Sequence, residues 1–311
     1  MHSLFRILAA LTLVLVVSIP ARAQQSYPAL CQTDDSSLQQ GLEEQLSSLG
    51  LQKAVQKKSL SVAVVDITDR TSPRLAAVNG SEMMYAASLP KIAILLGAFE
   101  RIAQGEMVLD KDTLDKLTRM IRNSSNGAAT EMLNRVGKAY LATLLQSPPY
   151  RLYDPGQNGG LWVGKDYGKA PAWKRDPLHN LSHGATALQA ARFYYLLETG
   201  RLVSPEMSQM MKTILGDPAI QHKFVRGLEE ARPGSRIYRK SGTWKQYHSD
   251  SAIVERDGRR YIAVALAESP KGGEWLRRLI VAFDDLIFRS QKEPTQISRL
   301  GDKTRSADGV E

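Results

Sequence analysis

The sequence predicts an α/β (α+β) chain, in which a five-stranded antiparallel sheet is covered by N- and C-terminal helices. An all-helical domain is inserted between the second and third strands. Two observations carry this prediction. Strand-like alternation of apolar and polar residues occurs near both ends of the chain, whereas residues 88–216 repeat mostly with a helical period. We therefore expect the two strand-rich ends to meet in one sheet.

The elements follow from local periodicity and from turn residues. An amphipathic helix is predicted at residues 37–58, and the two strands after it at 59–68 and 74–78. Helices are then predicted at 88–104, 111–121, 127–136, 183–199 and 204–214. The remaining strands are predicted at 235–243, 249–256 and 260–268, before a last helix at 273–289. Asp257-Gly258 lies between two alternating runs, which is a strong hairpin signal.

The domain boundaries follow from this order of elements. We expect a signal peptide at residues 1–23, and a sheet domain formed by residues 24–85 and 217–290. The inserted helical domain would span residues 86–216 and include a long loop at 147–182. This loop holds Tyr150, Tyr153, Trp162 and Trp173, which either contact a substrate or fill the loop's own core. Residues 291–311 would form a polar, disordered tail.

The N-terminus predicts export. A basic residue, Arg6, precedes an apolar run from Ile7 to Ile19 and a small-x-small pattern that ends at Ala23. The apolar run is too short to span a membrane, so we expect cleavage after Ala23 and a periplasmic or secreted protein. Cys31 is the only cysteine, which excludes an intramolecular disulfide.

The net charge places few constraints on binding partners. The signal peptide holds Arg6 and Arg22 and no acid, so its removal leaves 39 of the 41 basic side chains against 32 acidic ones, a net charge of +7. This excess is compatible with an anionic substrate or with peptidoglycan. There is no compact basic run of the kind that binds nucleic acid. The sequence does not indicate the oligomeric state.

Residues 85–92, YAASLPKI, bring a serine and a lysine to the start of an apolar helix. Ser88 and Lys91 would lie on one face, where free backbone N–H groups favour a developing anion. Serine needs a base to act as a nucleophile, and a lysine whose pKa is lowered by burial can serve as one. Taken alone, the pattern also fits a helix cap followed by a snorkelling lysine.

Two further motifs help to interpret the pattern formed by Ser88 and Lys91. Ser124, Ser125 and Asn126 form an SxN motif between two predicted helices, and residues 240–243, KSGT, end the first strand after the helical domain. SxxK, SxN and KSGT in this order resemble the serine β-lactamase and penicillin-binding-protein superfamily, and their spacing is most similar to class A β-lactamases. The resemblance covers nearly all of the chain after the signal peptide.

The resemblance implies a role for each motif. Ser88 would be the acylated nucleophile and Lys91 its base, while Ser124 would pass a proton to the leaving nitrogen. Asn126 would hold the side-chain amide of the substrate. The backbone N–H groups of Ser88 and Thr243 would form the oxyanion hole.

The KSGT strand would hold the rest of the substrate. Lys240 would supply positive potential near the SxN serine, and Ser241 and Thr243 would bind the substrate carboxylate. Gly242 would let the substrate backbone lie close to the strand. No cofactor and no metal is implied. His179 and His183 have a spacing that could suit zinc, but we interpret them as loop hydrogen-bonding residues.

The sequence departs from the class A pattern in the step that releases the product. Class A enzymes use a loop glutamate to activate water, and no glutamate occurs between Glu131 and Glu198. Asp176, in the segment DPLHN, is the nearest substitute; otherwise it begins a turn before Pro177. The family's arginine after KSGT is also missing, and Lys245 or His248 could assist the carboxylate instead.

Three functions remain open at this stage. The first is a class A-like β-lactamase that forms an acyl-enzyme at Ser88 and confers antibiotic resistance. The second is a D,D-carboxypeptidase or other penicillin-binding hydrolase that acts on acyl-D-Ala-D-Ala peptides, a reading that the missing glutamate favours. The third is a non-catalytic envelope binding protein, against which the complete motif set stands.

Overall fold

The computed structural model describes residues 26–289. The predicted signal peptide and the polar tail at 291–311 lie outside the described residues. Within the described range, none of the helices is long and apolar enough to cross a membrane.

The described residues form ten helices and ten strands. The helices are α1 (Ser36–Ser48), α2 (Gln52–Gln56), α3 (Lys91–Ala103), α4 (Lys111–Arg122), α5 (Asn126–Val136), α6 (Lys138–Gln146), α7 (Ala187–Glu198), α8 (Pro205–Leu215), α9 (Phe224–Ala231) and α10 (Gly272–Arg289). The strands are β1 (Leu60–Asp66), β2 (Arg74–Val78), β3 (Met84–Tyr85), β4 (Tyr153–Asp154), β5 (Gly159–Gly160), β6 (Trp162–Val163), β7 (His183–Ala185), β8 (Arg236–Trp244), β9 (Tyr247–Arg256) and β10 (Arg259–Glu268).

The five long strands form one antiparallel sheet in the order β2-β1-β10-β9-β8, which confirms the predicted fold class. The first strand, β1, pairs with the last strand, β10, with Leu60 opposite Ala267. The Asp257-Gly258 turn joins β9 to β10, and both residues have a positive φ, as a tight hairpin turn requires.

The sheet is buried on both faces because its strands carry apolar side chains at odd and at even positions, which point to opposite faces. Val62 and Val64 point to one face, where they pack with α1, α9 and α10. Ala63 and Val65 point to the other face and join the large core built by α3, α5 and α7. The start of α3 therefore lies deep in the molecule.

Two of the predicted helices have the wrong bounds. The predicted helix at 37–58 is two helices, because Gly50 adopts a φ of +71° and breaks the first one. The predicted helix at 183–199 begins only at Ala187, capped by the Thr186 hydroxyl. Residues 183–185 instead form β7, which pairs with β3 and β6. Helices α6 and α9 were not predicted.

The segment 147–182 packs through most of its aromatic side chains. Tyr150, Tyr153 and Trp162 are buried, whereas Trp173 is 39% exposed. The first three side chains fill the interior, in line with the alternative that these aromatic residues form a core rather than contact a substrate. Other residues of the same segment, among them Lys165 and Tyr167, line the cleft described below.

Candidate active site

Ser88 lies in the turn that connects β3 to α3, rather than inside the helix as predicted. Helix α3 begins at Lys91, whose N–H donates to the Ser88 carbonyl at 3.3 Å. Ala87, just before the serine, has a φ of +51°, which is unfavourable for a residue with a side chain. The Ser249 hydroxyl holds this turn by donating to the Ala86 carbonyl at 2.8 Å. The surrounding fold thus fixes a strained turn at the predicted nucleophile, Ser88.

Lys91 is fully buried at the start of α3. Its Nζ donates to the Ser124 carbonyl at 2.6 Å and to Asn126 Oδ1 at 2.9 Å, and it lies 4.5 Å from the centre of the Tyr167 ring. Burial lowers the pKa of Lys91 to about 7. A large fraction of this lysine is therefore an uncharged amine near neutral pH, as a base requires.

Lys240 reaches the same region from β8. Its Nζ donates to Ser124 Oγ at 2.9 Å and to the Ser241 carbonyl at 2.7 Å. Lys91 Nζ is 3.5 Å from the same Ser124 oxygen. Burial, and then the charge of Lys91, lower the pKa of Lys240 well below its usual value. Two lysines from distant parts of the chain thus converge on one hydroxyl.

Gly242 allows β8 to lie against the Ser88 turn. A side-chain carbon at Gly242 would come within 2.2 Å of the Ala86 carbonyl and within 2.7 Å of the Ser88 nitrogen. Only glycine fits such a contact without moving the backbone. This close approach brings the next residue, Thr243, to the cleft that Ser88 lines.

Lys223 is a site residue that the sequence analysis missed. It precedes α9, is 4% exposed, and donates to Thr243 Oγ1 at 2.8 Å and to the Gly242 carbonyl at 2.6 Å. Burial lowers its pKa to about 7. Arg239 fixes the loop before it by donating to the Ile220 and His222 carbonyls while paired with buried Asp250. No motif marks Lys223, because it lies 20 residues before Thr243, the residue that it contacts.

Ser241 lies outside the set of described residues that line this cleft. Its side chain is 6% exposed, and its Oγ lies 3.3 Å from His222 Nε2. Of the two predicted helpers for the carboxylate, Lys245 lies over the exposed Trp244 ring, and His248 lies in a neighbouring cavity with Lys223.

Ser88, Asn126 and Thr243 line one cleft of about 580 Å³. Its walls are largely aromatic, and Lys165 and Lys169 contribute positive charge. The aromatic residues are Tyr85, Tyr167, Trp244 and Tyr247. Among the residues described, those that line this cleft include no aspartate and no glutamate.

Asp176 lies outside this set of lining residues. Its carboxylate is buried and accepts hydrogen bonds from the Tyr153 hydroxyl and from the N–H groups of Leu178 and His179. These contacts make it the cap of a tight turn. The structure therefore does not place Asp176 beside Ser88, where a water-activating group would be needed.

Residues of all three motif segments thus lie close together: Lys91 and Lys240 both contact Ser124, while Asn126 and Thr243 line one cleft with Ser88. A family model described as "Beta-lactamase enzyme family" matches residues 41–114 and 111–291. The chain belongs to this beta-lactamase family. It is an enzyme, a serine hydrolase of the β-lactamase type, which removes the non-catalytic alternative. No curated protein matches the chain.

Solved structures share the fold of this family member at low sequence identity. PBP-A is 18% identical, with a TM-score of 0.60 over 82% of this chain and 97% of that chain. A PBP-A mutant, solved as an acyl-enzyme complex with penicillin G, has a TM-score of 0.61 at the same identity and coverage. A β-lactamase from Sphaerobacter thermophilus DSM 20745 is 16% identical, with a TM-score of 0.60 over 79% of this chain and 95% of that chain.

His179 and His183 have separate hydrogen-bond partners. The His179 ring contacts Asn158 Oδ1 at 3.0 Å, and His183 Nε2 contacts the Lys165 carbonyl at 3.1 Å. In the part of the chain that the structure describes, no three His, Cys, Asp or Glu side chains form a group able to hold a metal ion.

Proposed function

We propose that this beta-lactamase family member is an exported class A-like β-lactamase, which opens the β-lactam amide through an acyl-enzyme at Ser88. One observation carries the proposal: Lys91 and Lys240 both contact the Ser124 hydroxyl, beside the cleft that Ser88 lines. This arrangement supplies a base for attack and a proton for the leaving nitrogen.

The acylation step follows from these contacts. The neutral Lys91 amine takes the Ser88 proton as Ser88 Oγ attacks the carbonyl carbon of the lactam. When the carbon–nitrogen bond breaks, Ser124 gives its proton to the nitrogen and recovers one from Lys91. The backbone N–H groups of Ser88 and Thr243 would stabilise the oxyanion by several kcal/mol, since donors aimed at a developing charge typically contribute about 3 kcal/mol each.

The substrate carboxylate would bind at Thr243. Lys223 donates to Thr243 Oγ1, so the hydroxyl hydrogen of Thr243 is left to point elsewhere, towards the cleft. Asn126 lines the same cleft and has an amide N–H₂ free to donate, because its Oδ1 accepts from Lys91. Residues Thr243 and Asn126 thus offer donors for the carboxylate and the side-chain amide of a penicillin.

The test is intact-protein mass spectrometry of the chain without residues 1–23 after mixing with benzylpenicillin. We expect an adduct with the mass of the whole antibiotic on Ser88, cleared within seconds as the hydrolysed product accumulates. Ser88→Ala should give neither adduct nor product. Absence of both from the wild type would refute the proposal.

A D,D-carboxypeptidase is the second candidate, favoured by the lack of a carboxylate among the described residues that line the cleft. A carboxypeptidase would release D-alanine from an acyl-D-Ala-D-Ala peptide, and its penicillin adduct would persist for many minutes. The two candidates are separated by comparing the lifetime of the penicillin adduct with the rate of D-alanine release.

Export is a separate part of the proposal and rests on residues 1–23. Expression in a Gram-negative host should yield a periplasmic protein that begins at Gln24, as N-terminal sequencing would show. A protein that stays in the cytoplasm with Met1 intact would contradict it.

A further inference from the structure

The acyl-enzyme must be released by water, and water needs a base. The sequence has no glutamate at the place where class A enzymes carry this base, and Asp176 lies outside the residues that line the cleft. The cleft does hold another neutral base. His183, on β7, lines the same cleft as Ser88, together with its neighbour Ser182.

The hydrogen bonds of His183 assign its tautomer. Nε2 lies 3.1 Å from the Lys165 carbonyl, which can only accept, so Nε2 carries the hydrogen. Nδ1 then bears a free electron pair, and it faces Ser182 Oγ at 3.4 Å. The Ser182 hydroxyl can donate to Nδ1 and still accept from a water molecule in the cleft.

The fold fixes this pair relative to the nucleophile. Strand β7 pairs with β3, with Gly184 opposite Tyr85, and the Ala86 N–H donates to the His183 carbonyl at 3.0 Å. Ala86 is two residues before Ser88. The imidazole is 3% exposed and packs against the Tyr167 ring, 4.3 Å between centroids, so it has little freedom to rotate.

The charges around His183 keep it neutral. The pKa of His183 is lowered to about 4, mainly by burial. The charges of Lys165 and Lys91 act in the same direction, whereas Asp166 and the hydrogen bond to the Lys165 carbonyl oppose it. Tyr85 and Tyr167 face the ring and are uncharged at neutral pH, because burial raises the pKa of each. An imidazole of this basicity is comparable to an ordinary carboxylate, whose pKa is about 4.

We propose that Ser182 and His183 form the base that activates the water for deacylation, so that His183 takes the place of the missing glutamate. This inference rests on the proposed acyl-enzyme at Ser88. The water oxygen attacks the ester carbon, its proton passes to Ser182 Oγ, and the Ser182 proton passes to His183 Nδ1. The bond between the carbonyl carbon and Ser88 Oγ then breaks. Lys91, which is neutral after acylation, takes up one proton from solvent and gives it to the leaving Ser88 Oγ. The His183 imidazolium releases one proton to solvent, so that the protons balance and both groups return to their starting state.

The experiment separates acylation from deacylation. Rapid quenching and intact-protein mass spectrometry of wild type, His183→Gln and Ser182→Ala with benzylpenicillin give both rate constants. We expect acylation to change less than threefold in both variants. Deacylation should slow about a hundredfold in His183→Gln, the usual effect of losing a general base. Glutamine can still donate to the Lys165 carbonyl but cannot take a proton. The matched control is His179→Gln, whose ring contacts Asn158 on the exposed side of the same loop.

Hydroxylamine provides the second readout, since it attacks esters without needing a base. It should release the adduct from His183→Gln as fast as from the wild type, whereas a distorted site would slow both nucleophiles. Should His183→Gln fail to fold, Ser182→Ala carries the same comparison. The role of Ser182 and His183 would be refuted, with the proposed function left intact, by either of two results. One is an adduct lifetime that is the same in the wild type and the variants. The other is a variant in which acylation and deacylation slow by the same factor. A wild type that forms no adduct would overturn the proposed function and this inference together.

Discussion

Lys91 shows how burial changes the chemistry of a single residue. In water its amine would be protonated at neutral pH and useless as a base. In the apolar interior around α3 its pKa falls to about 7. The cost of burying the charge is limited by hydrogen bonds to the Ser124 carbonyl and Asn126 Oδ1.

The first prediction concerns the pH dependence of acylation. The base is the uncharged amine, so its fraction rises with pH up to the pKa and is constant above it. At saturating penicillin, the acylation rate constant should fall about tenfold per pH unit below 7 and level off above 8. Rapid-quench measurement of adduct formation between pH 5 and pH 9 checks this.

Lys91→Arg should abolish this profile, because arginine stays protonated throughout. Acylation should be slower by at least a hundredfold at every pH. Lys245→Arg, on the exposed end of the hairpin between β8 and β9, is the control that should leave the profile unchanged. A wild-type rate that is constant from pH 5 to pH 9 would exclude Lys91 as the base.

The second prediction concerns Lys223, a positioning residue that acts through Thr243. Lys223→Met should weaken capture of penicillin about tenfold, since a hydrogen bond from a charged group contributes about 1.5 kcal/mol or more. The effect should be larger below pH 7, where Lys223 is protonated. It is measured as the substrate concentration that gives half-maximal acylation rate.

The methyl ester of the same penicillin distinguishes an effect of Lys223 on carboxylate binding from an effect on the strand. The ester lacks the carboxylate, so Lys223→Met should barely affect it. Lys245→Met should change neither substrate by more than twofold. An equal loss for acid and ester would show that Lys223 only supports the strand.

At the residue scale, the sequence predicted the groups marked by local motifs. Ser88, Lys91, Ser124, Asn126 and Lys240 were singled out because three motifs in this order resemble a known superfamily, and the structure brings the three motif segments close together. Lys223 and the proposed base His183 were not predicted as site residues, because their place depends on how a loop and a short strand fold back on the motifs. Asp176 was misplaced because the DPLHN pattern fits a turn cap equally well.

At the scale of elements, β8 and the Ser88 turn form a single unit. Gly242 lies where any side chain would meet the Ala86 carbonyl. The third prediction is that Gly242→Ala pushes the strand away from the turn and slows acylation by at least a hundredfold, since displacement by about 1 Å can cost that much. Adduct formation measures the loss, and circular dichroism should show unchanged secondary structure.

Gly127→Ala is the matched control for this variant. Gly127 lies in α5, and a side-chain carbon there meets nothing within 4 Å. Alanine favours helix over glycine by about 1 kcal/mol, so this variant should acylate normally and be slightly more stable. Normal acylation in Gly242→Ala would mean that the contact between strand and turn is not required.

Elements with a clear period were predicted, and elements set by tertiary contacts were not. Strand β2 has the predicted bounds, and α8 begins within one residue of the predicted start. Strand β7 was predicted as helix because its three residues form a strand only by pairing with β3 and β6. A strand this short has no period of its own to detect.

At the scale of the whole molecule, a buried ionic cluster joins the helices to the sheet. Lys212 of α8 contacts Glu198 of α7 and Glu255 of β9, each at 2.7 Å, and Arg260 of β10 completes the cluster. Lys212, Glu198 and Glu255 are all less than 9% exposed. Without Lys212, the two buried carboxylates would be paired only with arginines that are more exposed, such as Arg260, so their buried charge would be less fully compensated.

The last prediction is that Lys212→Met lowers the free energy of unfolding by about 3 kcal/mol, because two buried carboxylates lose the most buried cation that they share. Urea denaturation at pH 7 measures this, and the folded variant should still acylate normally at 25 °C because the cluster does not line the cleft. The control is Arg226→Met, which removes an exposed pair with Glu230 and should cost less than about 1 kcal/mol.

The pH dependence of this difference tests its electrostatic origin. Burial raises the pKa of Glu255, but the hydrogen bond from Lys212 and the charges of Arg260 and Arg236 outweigh it, so the pKa is lowered overall. A carboxylate with a lowered pKa stabilises the fold above its unfolded pKa and loses that contribution as the pH falls through its folded pKa. The difference in free energy of unfolding between the wild type and Lys212→Met should therefore become smaller below about pH 4. A gap that stays constant down to pH 3 would show that the Lys212 side chain stabilises the fold by packing rather than by charge.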